Sequence, residues 1–226
     1  MLAVHQADFR TRTIALKIRQ IYENSHNTLQ SASRRFLREA SQESTMSSVS
    51  IPIILNLGCG RKKMANSINV DITNDTSPDI VHNLNVRPWP FPDNHFTEVH
   101  AYDVIEHLTD VLGTVNELYR VCQNGAMINI TVPHYSSSNA FTDPTHQHYF
   151  GWFSFDYFTG EHEHCYYTRS RFQMNKRAMM FRHTLVNKLI RRMANRWPAR
   201  YEQAWAWTFP AWFLWYRLEV LKEATG

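Results

Sequence analysis

Two glycines and an acid frame the first chemistry this sequence can do. The stretch ILNLGCGRKKMANSINVD, Ile54 to Asp71, runs from an apolar segment into Gly58-Cys59-Gly60 and reaches Asp71 after a second short apolar run. Glycines at the end of a buried strand let the backbone approach a ligand closely and take positive φ. A carboxylate after the second strand can accept both hydroxyls of a ribose. In a dinucleotide fingerprint that acid falls about 20 residues further on, whereas Gly58 and Asp71 are only 13 positions apart. Lys62 also stands where a third glycine would be. A first helix pressed on a pyrophosphate is hard to fit into this space, so the loop suits a nucleoside without a diphosphate better than a dinucleotide.

A second set of reactive side chains lies in PHYSSSNAFTDPTHQHYFGWFSFDYF, residues 133–158. Polar groups there are interleaved with aromatics, which is how a small ligand is held. His134, Tyr135, Asn139 and His146 are the candidate acceptor-facing, catalytic residues. Several of the aromatics must simply be core, and Asp143 in DPTH reads as a turn residue that accepts backbone N–H bonds. His134, Asp143, His146 and His148, or His162 and His164, raise the question of a metal. Zinc sites usually place their ligands on regular secondary structure with an orienting outer shell. That pattern is not evident here, so no metal is expected.

The elements that must position these groups follow from the apolar pattern. IPIILNL is an unbroken apolar run, as in a strand buried on both faces of a parallel sheet. SINV, DIVHNL, FTEVHAY and AMINITV read as the next four strands. In DVLGTVNELYRVCQNG, residues Val111, Leu112, Val115, Leu118, Tyr119 and Cys122 fall on one helical face, and Asn124-Gly125 is expected to close that helix. Asp103 and Glu106 have the spacing of a capping box at the start of a helix, which would put His107 in its first turn. FQMNKRAMMFRH and FLWYRLEVLK suit the last strands, with a helix over Val186–Ala194 between them. Strands alternating with helices give an open α/β sheet, in which ligands bind beyond the carboxyl ends of the strands.

Ahead of this core, Ile14, Ile18, Ile21, Tyr22 and Leu29 recur near a 3.6 spacing, so residues 1–45 read as helices. The serine-rich SQESTMSSVS, Ser41–Ser50, reads as a linker to a domain over residues 46–226. A chain of 226 residues with 43% hydrophobic and 19% charged residues can bury a real core. Its net charge of +4 comes from scattered basic residues rather than a run, which argues against a nucleic-acid groove. Cys59, Cys122 and Cys165 form no CxxC pair, so neither a disulfide framework nor a zinc ribbon is expected and a reducing cytoplasm fits. The N-terminus lacks the features of a signal peptide. The most apolar run, AWAWTFPAWFLWY (residues 204–216), is too short for a transmembrane segment and contains a proline, so it is expected to be buried.

Taken in order, LNLGCG, INVDI, DIVHNLN, PWPFPDNHFTEVHAYDVIEHL, ELYRV, NGAMINITVPH and DPTHQHYF resemble the class I S-adenosylmethionine (SAM)-dependent methyltransferases, in a bacterial branch with a shortened first crossover. The resemblance covers about residues 53–158 well and the last strands loosely, and does not reach the N-terminal helices. It implies a Rossmann-like, seven-stranded, mostly parallel sheet with an N-terminal helical extension. It implies SAM as cofactor, with Gly58, Cys59 and Gly60 around its methionine end, Asp71 on the ribose and Ile72, Asn83 and Leu84 about the adenine. Asp103 would lie near the sulfonium, with His107 close by. Asn56 stands where the family often has an acid for the SAM ammonium, and Lys62 adds a cation nearby.

Methylation of an oxygen or nitrogen on a small or medium-sized acceptor, in polysaccharide or secondary-metabolite biosynthesis, is the first expectation. A second is cyclisation of SAM itself to azetidine-2-carboxylate and methylthioadenosine in a closed aromatic pocket. A third is SAM binding without turnover. The N-terminal helices would form a lid, or pack on the sheet or on a second subunit of a homodimer.

Overall fold

The computed structural model of the chain describes residues 52–160 and 168–222. The expected N-terminal helices and linker, together with His162, His164 and Cys165, lie outside the described residues. The sheet lies in the unit that begins at Pro52.

Seven strands form one sheet: β1 (Ile54–Leu57), β2 (Ser67–Asp71), β3 (Ile80–Val81), β4 (Phe96–Tyr102), β5 (Cys122–Pro133), β6 (Phe172–Met180) and β7 (Phe213–Val220). Their spatial order is β3-β2-β1-β4-β5-β7-β6. The first five run parallel, and β7 is inserted antiparallel between β5 and β6. This is the Rossmann-like, mostly parallel sheet expected from the sequence. Leu55, Asn56 and Leu57 of β1 and Ile128, Asn129 and Ile130 of β5 are all buried, so both faces of these strands are covered, with an asparagine among the apolar residues of each. In β7 every second residue is buried (Leu214, Tyr216, Leu218, Val220) and the others are half-buried, the period of two of a strand with unequal faces.

The chain leaves β1 toward β2 and β3 on one side and returns to β4 on the other. That reversal leaves a crevice at the carboxyl ends of β1 and β4. No helix separates β1 from β2, where residues 58–66 make only turns. The return is anchored by α1 (Val111–Val121), whose Asp110 side chain caps Gly113 N at 2.8 Å. Val115, Leu118 and Val121 bury one face of α1, each contributing about 1.5–3 kcal/mol of apolar burial.

Several local expectations are corrected. The segment after Asp103 is a 3-10 turn, Ile105–His107, and not the start of a helix. No capping box forms, because Asp103 takes positive φ (56°) and its Oδ1 accepts from the Thr131 hydroxyl at 2.6 Å. Asn124-Gly125 does not close α1, which ends at Val121 and passes directly into β5 at Cys122. The β4–β5 register jumps from Phe96↔Cys122 to Glu98↔Met127, so the extra residues bulge from the ladder and Gly125 absorbs the bend at φ 78°. The third strand shrinks to two residues. The last helix expected over 186–194 is α3 (Leu185–Arg196), and a second one, α4 (Pro198–Ala204), follows it. The tryptophan-rich run is not buried as a unit: Ala206 and Ala211 are, but Trp205 and Trp207 are exposed. The chain there makes turns with one side to the core, and the small residues take that side. Among the described residues no helix is long and apolar enough to cross a membrane.

Candidate active site

The loop after β1 is built by glycine and by the end of β2. Gly58 has φ 58°, and a Cβ placed on it would come within 2.6 Å of the Val104 side chain. Only glycine lets the loop pass this close to the segment after β4. Cys59 N donates to Val70 O at 3.0 Å, which ties the loop to β2. Asp71 closes the turn: one carboxylate oxygen accepts from Gly60 N at 2.7 Å and the other from Thr73 N at 3.2 Å. Burial pushes the Cys59 thiol up, so that residue serves the loop through its backbone. Among the described residues no helix starts from this loop, so none there aims its dipole at a pyrophosphate.

The remaining residues expected around the cofactor are placed as follows. The Asn56 amide is committed to the loop itself, donating to Asn69 Oδ1 at 2.9 Å and to Lys62 O at 3.3 Å. Asn69 in turn donates to Asp79 at 2.9 Å, so Asn56 opens a buried polar chain behind the cradle. Ile72 and Asn83 are exposed and Leu84 is buried. The Leu84 carbonyl accepts from the Trp89 indole at 3.0 Å. Asp103 lies at the tip of β4, beside the crevice.

A cleft of about 540 Å³ opens beyond β4 and β5, with Asp103, Glu106, His107, Asn139, Asp143 and His146 in its lining. Two of the four expected catalytic residues, Asn139 and His146, are therefore brought to Asp103 and His107. The other two are drawn away. His134 is fully buried, with Nδ1 accepting from Ser136 N at 3.1 Å and Nε2 bonded to Glu202 Oε1 at 3.1 Å. Tyr135 donates its hydroxyl to Glu202 O at 3.0 Å. Glu202, on α4, also accepts from Trp152 N at 2.6 Å. Glu202 thus joins its own helix to the segments of His134 and Trp152, and the His134 ring has no nitrogen left for an acceptor, which corrects its expected role. Glu202 is 68 residues from His134 in the chain, and no local signal in the sequence links them.

The group that sequence spacing misassigned is Glu106. It is 1% exposed, and neither carboxylate oxygen has a hydrogen-bond partner. Burial, reinforced by the nearby Asp103 and Asp143 charges, pushes its carboxyl up to about 8. Its signal in the sequence is an acid inside the apolar run VIEHL. One ligand atom each of Glu106, His107 and His146 lie within 4.8 Å of one another. The metal question therefore attaches to Glu106 and His107 with His146, a set of which sequence reading weighed only His146, because the 3-10 turn and the loop after α2 (Asn139–Thr142) are distant in sequence. Burial, then the neighbouring His146, holds the His107 imidazole below its usual range. Two hydrogen bonds keep the Asp143 carboxylate low: Thr145 donates to it from its hydroxyl at 2.7 Å and its N–H at 2.9 Å.

Comparison with known proteins bears on residues 55–130, which match a family profile described as a methyltransferase domain. No curated protein matches the chain. Among solved structures, the YcgJ protein from Bacillus subtilis aligns at TM-score 0.51 and 13% identity, covering 76% of this chain and 93% of that one. A SAM-dependent methyltransferase from Mesorhizobium loti aligns at 0.51 and 11%, covering 77% and 93%. A putative methyltransferase from Bacillus halodurans aligns at 0.50 and 12%, covering 84% and 98%. At these identities the structures speak for the fold, and the profile speaks for residues 55–130. Residues 55–130 therefore resemble a methyltransferase domain, and the sheet has the fold of the SAM-dependent methyltransferase from Mesorhizobium loti.

Proposed function

We propose that the chain transfers a methyl group from SAM to an oxygen or nitrogen of a small or medium-sized acceptor that enters the 540 Å³ cleft. One observation carries this reading. The cleft opens at the carboxyl ends of β4 and β5, its lining residue Asp103 preceding Val104, against which Gly58 packs, and polar groups converge in it. Its volume is within the range of small-molecule sites. Gly58, Cys59 and Gly60 would lie along the methionine end of SAM, Asp71 on the ribose hydroxyls, and Ile72, Asn83 and Leu84 about the adenine. Asp103 would stand between the cofactor and the acceptor.

When bound, SAM supplies an electrophilic methyl carbon and a thioether leaving group. The chain must then hold the acceptor in line and take up its proton. Asn139 offers an amide to orient the acceptor. The Asp103 carboxylate, also in the lining, is the group beside it able to receive the proton. Cyclisation of SAM calls for a closed aromatic pocket, whereas among the described residues Phe213 is the one phenylalanine, tyrosine or tryptophan lining this cleft, which favours transfer. A sugar or secondary-metabolite acceptor suits such a cleft.

The test is to incubate the protein with SAM, with and without candidate acceptors, and to identify the nucleoside formed. S-adenosylhomocysteine appearing only with an acceptor is the expected result. Methylthioadenosine formed without an acceptor, faster than SAM decays by itself, would replace transfer with cyclisation. Tight SAM binding without any product would leave a binding protein.

A further inference from the structure

We propose that Glu106, His107 and His146 hold a divalent transition-metal ion of the zinc type beside the cleft. One ligand atom from each lies within 4.8 Å of the others. Ligands about 2.1 Å from a tetrahedral ion stand about 3.4 Å apart, so side-chain shifts on the order of an ångström close the set.

Two further observations point to the ion. The first is the Glu106 carboxylate, 1% exposed and with neither oxygen hydrogen-bonded. Buried polar groups are nearly always paired, and a cation is the partner this carboxylate lacks. The second is the way both imidazoles are held from outside. The Ala140 carbonyl lies 3.1 Å from His146 Nδ1; it can only accept, so Nδ1 carries the proton and Nε2 the lone pair. The Thr145 hydroxyl donates to Asp143 at 2.7 Å. Its oxygen is then left to accept from His107 Nδ1 at 2.8 Å, which again leaves the lone pair on Nε2. Outer partners of this kind fix the orientation and tautomer of metal-bound histidines.

The two rings meet edge to face with centroids 4.6 Å apart. Gln147 ties the segments together, its N–H donating to Glu106 O at 2.8 Å and its side chain to His107 O at 3.0 Å. The third ligand's loop is therefore pinned to the turn that carries the other two. Two imidazoles and one carboxylate make a donor set used by catalytic zinc, with a position left open. An acceptor oxygen in that position would be polarised; this use rests on the transfer reading, whereas ion binding does not.

The full-length protein, stripped with chelator and dialysed, is titrated with Co²⁺ alone and with Zn²⁺ alone. One equivalent is expected to bind, with Co²⁺ giving the visible spectrum of nitrogen and oxygen ligands and Zn²⁺ displacing it. His107→Ala, His146→Ala and Glu106→Gln should each weaken binding by more than about 100-fold, and Thr145→Val, acting through His107, by about 10–100-fold. His183→Ala, on an exposed surface away from the cleft, should change nothing. Circular dichroism establishes which variants are folded, and Thr145→Val keeps the test alive if Glu106→Gln does not fold. Absence of binding to the wild-type protein, or binding of equal affinity and spectrum in folded His107→Ala and His146→Ala, would overturn the proposal.

Discussion

Replacing Glu106 by glutamine should stabilise the metal-free protein, by an amount that depends on pH. The carboxyl is 1% exposed and its folded-state pKa is raised from 4.5 to about 8. Between these values the folded chain binds a proton that the unfolded chain has released, so stability falls as pH rises through the window. Each pH unit costs about 1.4 kcal/mol. The penalty is therefore absent near pH 4, about 3 kcal/mol at pH 7, and levels off near 5 kcal/mol above pH 8, all to order of magnitude. Glutamine has nearly the same shape and no charge, so Glu106→Gln should escape this loss. Urea denaturation of both proteins in chelator, from pH 4.5 to 9, measures the difference directly. The variant should gain steadily on the wild type up to about pH 8 and run parallel beyond it. A difference that stays flat with pH, or a variant that loses ground as pH rises, would show that Glu106 is ionised and satisfied in the fold.

Three other outcomes are expected. Asp71→Ala should weaken SAM binding by roughly 1.5–3 kcal/mol, the scale of hydrogen bonds to a charged group, and an unchanged calorimetric dissociation constant would contradict the placement of the ribose. Gly58→Ala adds a Cβ at φ 58° against Val104, a backbone cost of about 1–2 kcal/mol before the clash; both the melting temperature and SAM affinity should drop. His134→Ala removes a fully buried ring bonded to Ser136 and Glu202 and should cost about 2–4 kcal/mol in denaturant unfolding. A His134→Ala protein of normal stability that had lost turnover would restore that residue to the acceptor wall.

Much of this protein was determined by the sequence alone, because much of it is local. The unbroken apolar run before Gly58 marks a strand covered on both faces, and the 13 positions from Gly58 to Asp71 leave no room for a first helix. Both are consequences of chain length and side-chain period, and the β1 loop and sheet order follow them. The same reasoning failed where two local rules compete for one residue. Asp103 and Glu106 have cap spacing, yet the Thr131 hydroxyl on the neighbouring strand holds Asp103 in positive φ and the turn sends Glu106 inward. Cys122 continues the helical stripe of α1, yet pairing with β4 takes it into a strand.

Only tertiary structure could decide the chemistry around the cleft. His134 and His146 carry identical side chains 12 positions apart. One is consumed by Glu202 from a distant helix, and the other is carried to Glu106 and His107 by a loop that Gln147 pins in place. Which histidine keeps a free lone pair depends on partners from elsewhere in the chain. Sequence spacing determines which faces are apolar and where the chain can turn; it does not determine which buried polar atoms find partners, and in this site the unpartnered ones point to the chemistry.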